Sequence, residues 1–99
     1  MYAYAIVSVV ECEDQLKTTD YPLMDICRSE EDANERFDKI IGHLSQKPDF
    51  DSYWDLKCGQ EEQGRKKEVR RAMMSYSSPF PSRKRYTQTL IIERWNLNY

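Results

Sequence analysis

The chain has 99 residues, of which 39% are hydrophobic and 32% charged, and its formal net charge is −2. This is enough apolar material for one core, so we expect a single domain over residues 1–99 rather than a disordered chain. The longest apolar stretch, residues 2–10, is far shorter than the roughly 20 residues of a membrane span. We therefore expect no membrane segment and, since no signal-peptide pattern is present, a cytoplasmic protein.

Two apolar stretches open the chain. Residues 2–11 are rich in β-branched and aromatic side chains on both alternating sets, which predicts a central strand covered on at least part of each face. Residues 13–20 are polar and read as a loop. Residues 23–27 form a short apolar run that fits a second strand or an extended lead into a helix.

The next segment predicts an amphipathic helix over residues 30–46. Ser29 can cap its N-terminus, with Asp32 at the position of the returning acid, and Pro48 ends it. Its apolar residues recur at the spacing of one helical face. These residues are Ala33, Phe37, Ile40, Ile41 and Leu44.

The second half of the chain is harder to assign. Residues 49–58 alternate acidic and aromatic side chains and fit a loop, a 3₁₀ turn or a short strand equally well. Val69, Ala72, Met73 and Tyr76 form a helical stripe, which predicts a second helix over residues 61–75. Residues 85–97 predict a strand.

These elements predict an α+β fold. The two longest strands should share a sheet so that one domain can bury its core, giving a small antiparallel sheet of about three strands packed against two helices. The expected order along the chain is β-β-α-α-β.

Catalytic chemistry is poorly represented in the sequence. His43 is the one histidine and falls at the border of the apolar face of the first helix, and no glycine pattern forms a phosphate loop. Cys12, Cys27 and Cys58 are odd in number and widely spaced, which favours free thiols in a reducing compartment. We expect no enzymatic activity, no cofactor and no metal site.

Charge is unevenly distributed along the chain. Residues 11–62 contain 15 acidic and 6 basic side chains, whereas residues 64–85 contain 8 basic and one acidic. A second helix would display its cations on the face opposite its apolar stripe, with Met74 among them, and the proline-containing segment would add further cations and an aromatic ring. The predicted binding residues are Lys66, Lys67, Arg70, Arg71, Met74, Phe80, Arg83, Lys84 and Arg85.

Several uses of this basic surface remain open. The domain could bind a protein, steered by charge and anchored by Phe50, Tyr53, Trp54 or Phe80, or the basic segment could bind DNA or RNA. An acidic first helix that imitates nucleic acid is a third alternative, although −2 is a small net charge for that role. A purely solvated charged face is a fourth, and the opposed charges also allow a homodimer.

Three segments carry a resemblance to the small accessory proteins of bacteriophages. They are the opening Y-A-Y-A-I-V-S-V-V-E, the helix S-E-E-D-A-N-E-R-F-D-K-I-I and the closing T-L-I-I-E-R-W. Many such proteins are single α+β domains that bind host factors, including inhibitors of restriction, CRISPR or other immune systems. The resemblance implies stoichiometric binding to a host protein in the bacterial cytoplasm, and it transfers no functional residue.

Overall fold

A computed structural model describes residues 1–12, 23–56, 64–77 and 85–97. Within these ranges the chain forms five strands and one helix. They are β1 (Tyr2–Cys12), β2 (Leu23–Cys27), α1 (Glu30–Leu44), β3 (Phe50–Leu56), β4 (Lys66–Ser77) and β5 (Arg85–Asn96). The strands make one antiparallel sheet in the order β2-β1-β5-β4-β3, and α1 packs against one side of it.

The three long strands β1, β5 and β4 form the centre of the sheet. β1 pairs with β5 from Tyr2 opposite Asn96 to Cys12 opposite Tyr86, which confirms the expected pairing of the first and last strands. β4 follows β5 along nearly its whole length, with one irregularity between Glu68 and Arg70. β-branched residues in β1 and β5 suit this pleated, half-buried position.

Alternation along the strands divides the sheet into two faces. The helix face carries the buried core, in which Phe37 of α1 is fully enclosed by strand side chains. Each large apolar side chain buried there contributes about 1.5–3 kcal/mol to stability. The sheet residues of this core are Ile6, Ala72, Met74, Tyr76, Leu90 and Ile92. We call the opposite side the open face, because α1 does not cover it.

The predicted fold class is wrong in its strand and helix count. The structure is a five-stranded antiparallel sheet with one helix rather than three strands with two helices. The second helix predicted over residues 61–75 is replaced by β4. Ala72, Met74 and Tyr76 are buried at alternate positions, so the period of two prevails over the helical stripe. Gly64, with a φ of 63°, occupies a turn just before this strand.

Four predicted elements are confirmed. β1 and β5 lie within a residue or two of their predicted limits, β2 matches its predicted limits, and α1 covers most of the predicted helix. Ser29 is the N-cap of α1, and its hydroxyl accepts a hydrogen bond from the Asp32 amide at 3.1 Å. The ambiguous residues 49–58 contain β3.

Candidate functional site

Among the described residues, those predicted to form one basic surface do not lie together. In β4 the side chains alternate, and the irregularity between Glu68 and Arg70 shifts this alternation by one residue. Lys66 and Arg71 therefore lie on the open face, while Lys67 and Arg70 lie on the helix face. Met74 is completely buried in the core, which removes it from any binding surface. Arg85 is exposed at the start of β5. Phe80, Arg83 and Lys84 lie outside the described residues.

Arg70 is part of the packing between α1 and the sheet. Its guanidinium lies 2.9 Å from Asp38 and donates a hydrogen bond to Asn34 at 3.1 Å. It also stacks 4.3 Å from the centre of the Phe37 ring, a cation–π contact. Burial alone would lower the pKa of Arg70, but the hydrogen bond and charge of Asp38 outweigh it, so the pKa is raised. Arg70 therefore stays charged and holds α1 in place.

The open-face cations are also paired with carboxylates. Lys66 contacts Glu93 at 3.1 Å, and the Arg71 guanidinium is bonded to Glu68 through two nitrogens. Glu68 and Glu93 sit opposite each other in the β4–β5 register, which explains why a cation flanks each of them. These four side chains carry two positive and two negative charges. Lys66 and Arg71 are therefore neutralised by the acids beside them.

A largely apolar groove of about 660 Å³ occupies the open face, and these four charged side chains line part of it. Its floor contains small and β-branched side chains of β1 and β5. Larger apolar side chains from β2 and from the end of β5 lie around this floor. The floor residues are Ala3, Ala5, Val7 and Ile91, and the flanking apolar residues are Leu23, Ile26, Trp95 and Leu97. The floor arises because both alternating sets of β1 are apolar. α1 covers the set that contains Tyr4 and Ile6 and leaves Ala3, Ala5 and Val7 on the other side.

The flanks of this groove expose unusually large apolar side chains. The exposed fraction is 56% for Leu23, 60% for Ile26, 40% for Trp95 and 51% for Leu97. Single exposed apolar residues are ordinary on a protein surface, whereas several around an apolar floor are typical of an interaction surface. The sequence did not reveal this surface, because a second helix packed on the sheet was predicted where the structure has β4.

The aromatic residues proposed as anchors have separate positions. Trp54 is 40% exposed on the open side of edge strand β3, away from the groove. Phe50 and Tyr53 pack against the core of the helix face instead. The Phe50 ring meets the Tyr76 ring edge-on, with 5.9 Å between centroids. Of these three residues, Trp54 alone offers a large exposed ring.

The Cys27 thiol, in the described part of the chain, does not have the surroundings of an activated nucleophile. Burial, with the charges of Asp25 and Asp32, raises the pKa of the Cys27 thiol, although Arg36 opposes this shift. A raised pKa keeps the thiol protonated, which is the opposite of what a nucleophilic cysteine needs. Among the described residues no three His, Cys, Asp or Glu side chains gather as metal ligands would.

Comparison of the chain with protein family models, with curated proteins and with solved structures gives no match. The resemblance to small phage proteins therefore stays a prediction. The described residues include no helix with the length and apolar character that crossing a membrane requires.

Proposed function

We propose that this protein is a non-catalytic binding protein that attaches to a partner protein through the apolar groove of its open face. The observation that carries this proposal is the apolar floor of Ala3, Ala5, Val7 and Ile91, with exposed Leu23, Ile26, Trp95 and Leu97 around it. Large side chains around a small-residue floor provide the pockets and anchors on which protein interfaces depend. Trp95 is the natural anchor, since tryptophan is enriched at such positions.

The charges beside the groove favour a protein over nucleic acid. Phosphate binding requires cations that can exchange solvent counterions for the nucleic-acid backbone. Here Lys66 already contacts Glu93, and Arg71 already contacts Glu68. A neutral, apolar protein surface can bury this groove without breaking either pair.

The resemblance to small phage accessory proteins favours a bacterial host protein as the partner. Stoichiometric attachment to a defence or nucleic-acid-processing protein would block or redirect that protein without any chemical step. This part of the proposal depends on the resemblance alone.

Two tryptophan variants test the groove, because Trp95 and Trp54 are equally exposed and only Trp95 lines it. The wild type and the two variants, Trp95→Glu and Trp54→Glu, are each used as bait in a nuclease-treated bacterial lysate. Captured proteins are quantified by mass spectrometry, and the main one is purified and titrated against all three baits. We expect Trp95→Glu to weaken binding at least tenfold and Trp54→Glu to leave it nearly unchanged.

Two outcomes would contradict this proposal. One is equal binding by both variants, which would place the interface away from the groove. The other is capture that disappears on nuclease treatment and falls steeply with salt, which would instead assign the protein to nucleic-acid binding. Circular dichroism of each variant verifies that the sheet is retained.

A further inference from the structure

We infer that the partner protein places one amphipathic helix along β1 in the open-face groove, on the opposite side of the sheet from α1. This inference rests on the proposed function, because it specifies which element of the bound protein fills the groove. With a helix on each face, the sheet would have both apolar sets of β1 covered.

The strand register makes the open-face groove run along β1 between two walls. Ala3 and Ala5 are the smallest side chains of its floor. On the β2 side, Ile26 lies opposite Ala5 and Leu23 continues the wall, and on the β5 side Trp95 lies opposite Ala3. Ile26 is 60% exposed and Trp95 40%, so both rise above the alanines between them.

The dimensions of the groove match a single helix. Its walls stand on β2 and β5, the two neighbours of β1, so they are separated by two strand spacings, or about 9.5 Å. A helix with its side chains is about 10–12 Å across, so one helix can settle between the walls, whereas a second sheet would need a flat surface. The floor from Ala3 to Val7 is about 14 Å long, which corresponds to roughly nine helical residues.

The backbone of the occupant favours a helix over an extended segment. The N–H and C=O groups of a sheet lie in its plane and bond to neighbouring strands, so the open face offers none to a segment laid across it. An extended segment pressed onto the apolar floor would therefore bury backbone groups without hydrogen-bond partners, which costs free energy. A helix pairs these groups within itself.

The charges of the groove specify which side of the helix faces the sheet. Lys66 is paired with Glu93 and Arg71 with Glu68, so closed ion pairs line the groove on the side of β4. A charged residue pressed against them would be buried without a partner of its own, which weakens binding. The complementary surface is therefore an uncharged, apolar stripe at positions i, i+4 and i+7, with the charged residues of the helix on its other side.

Synthetic peptides of one composition test the helix on the full chain. The probe is a fluorescent, end-capped peptide of about 15 residues with leucine at i, i+4, i+7 and i+11 and with alanine, glutamine and lysine–glutamate pairs elsewhere. Its control has the same residues with the leucines at alternate positions. We expect the helical peptide to bind at least tenfold more tightly by anisotropy and to gain helical circular dichroism. Equal affinities, or no binding up to about 1 mM, would overturn the inference.

Two substitutions in β1 test the fit of the helix to the floor. Ala5→Leu fills the groove while keeping it apolar, whereas Val10→Leu enlarges an exposed side chain on the other face of the same strand. We expect Ala5→Leu to bind the helical peptide at least tenfold more weakly and Val10→Leu to bind it as the wild type does. Unchanged or tighter binding by Ala5→Leu would contradict a seated helix. Ala3→Leu provides the same test if circular dichroism shows that Ala5→Leu unfolds.

Two further results keep this inference distinct from the proposed function. A captured partner that Trp95→Glu weakens, with no preference for the helical peptide, would overturn the helix and leave the groove as a protein-binding surface. Sedimentation of the purified chain tests a second copy as the occupant. A dimer that Trp95→Glu and Ala5→Leu dissociate and Trp54→Glu preserves would assign the groove to that copy and overturn the partner helix.

Discussion

Arg70 reaches from β4 to α1 and is held there by three side chains of the helix. Asp38 and Asn34 satisfy its guanidinium, and the Phe37 ring lies against its flat surface. The planar guanidinium makes these contacts simultaneously, which a lysine ammonium cannot do. The residue therefore contributes to the attachment of the helix rather than to recognition of a partner.

Replacing Arg70 by methionine should destabilise the fold. Methionine keeps the apolar stem of the side chain but lacks the charged guanidinium and its contacts with Asp38 and Asn34. We therefore expect a loss of about 1.5–3 kcal/mol in the free energy of unfolding. Urea denaturation measures this change. Lys39→Met is the matched control, because its ion pair with Glu35 is highly exposed and should contribute about 0–1 kcal/mol. Equal losses in the two variants would show that Arg70 does not attach α1.

Tyr76 provides a pH-dependent contribution to stability. Its hydroxyl donates a hydrogen bond to Gln88 at 2.9 Å, and burial, with the charge of Asp49, raises its pKa above the ordinary value of 10.0. Since the protonated phenol is favoured in the folded state, this stability is fully present below pH 10 and is lost as the pH rises through the raised pKa.

We therefore expect wild-type stability to fall more steeply than that of Tyr76→Phe as the pH rises above about 10. Urea midpoints measured across this range provide the comparison, and the variant controls for every other alkaline titration. At neutral pH the variant should already be less stable, since Gln88 loses its donor. Parallel curves of urea midpoint against pH for the two proteins would show that the pKa of Tyr76 does not differ between the folded and unfolded states.

At the scale of single elements, α1 was readily predicted because its signals agree. Ser29 caps it, and its apolar residues follow one helical period. β4 was missed because its signals compete. The same residues satisfy both a helical stripe through Val69, Ala72, Met73 and Tyr76 and an alternation through Ala72, Met74 and Tyr76. Pairing with the long strand β5, which the local pattern does not show, decides in favour of the strand.

Truncation of α1 tests its packing on the sheet. Phe37 is fully buried, so Phe37→Ala should cost about 3–5 kcal/mol of unfolding free energy. Ile40 is only half-buried at the edge of the core, so Ile40→Ala should cost clearly less. Thermal or urea denaturation measures both. A larger loss for Ile40→Ala would mean that the helix packs on the sheet through a different side.

At the scale of the whole molecule, one helix covers one face of a five-stranded sheet and leaves an apolar groove on the other. The sequence showed most of the floor of this groove, because Ala3, Ala5 and Val7 form an apolar set on one side of the first predicted strand. The lack of a helix over this set was not visible, because residues 61–75 were predicted to form a second helix packed against the sheet. The charge asymmetry was also visible, but cross-strand pairs such as Lys66 with Glu93 depend on a register that composition does not reveal.

Site-specific photocrosslinking tests the open face most directly. A benzophenone amino acid is placed at position 95 in one protein and at position 54 in another, and each is irradiated with the partner captured by the wild type. We expect an efficient one-to-one crosslink from position 95 and little from position 54. A crosslink from position 54 with none from position 95 would contradict the assignment of the groove as the binding surface.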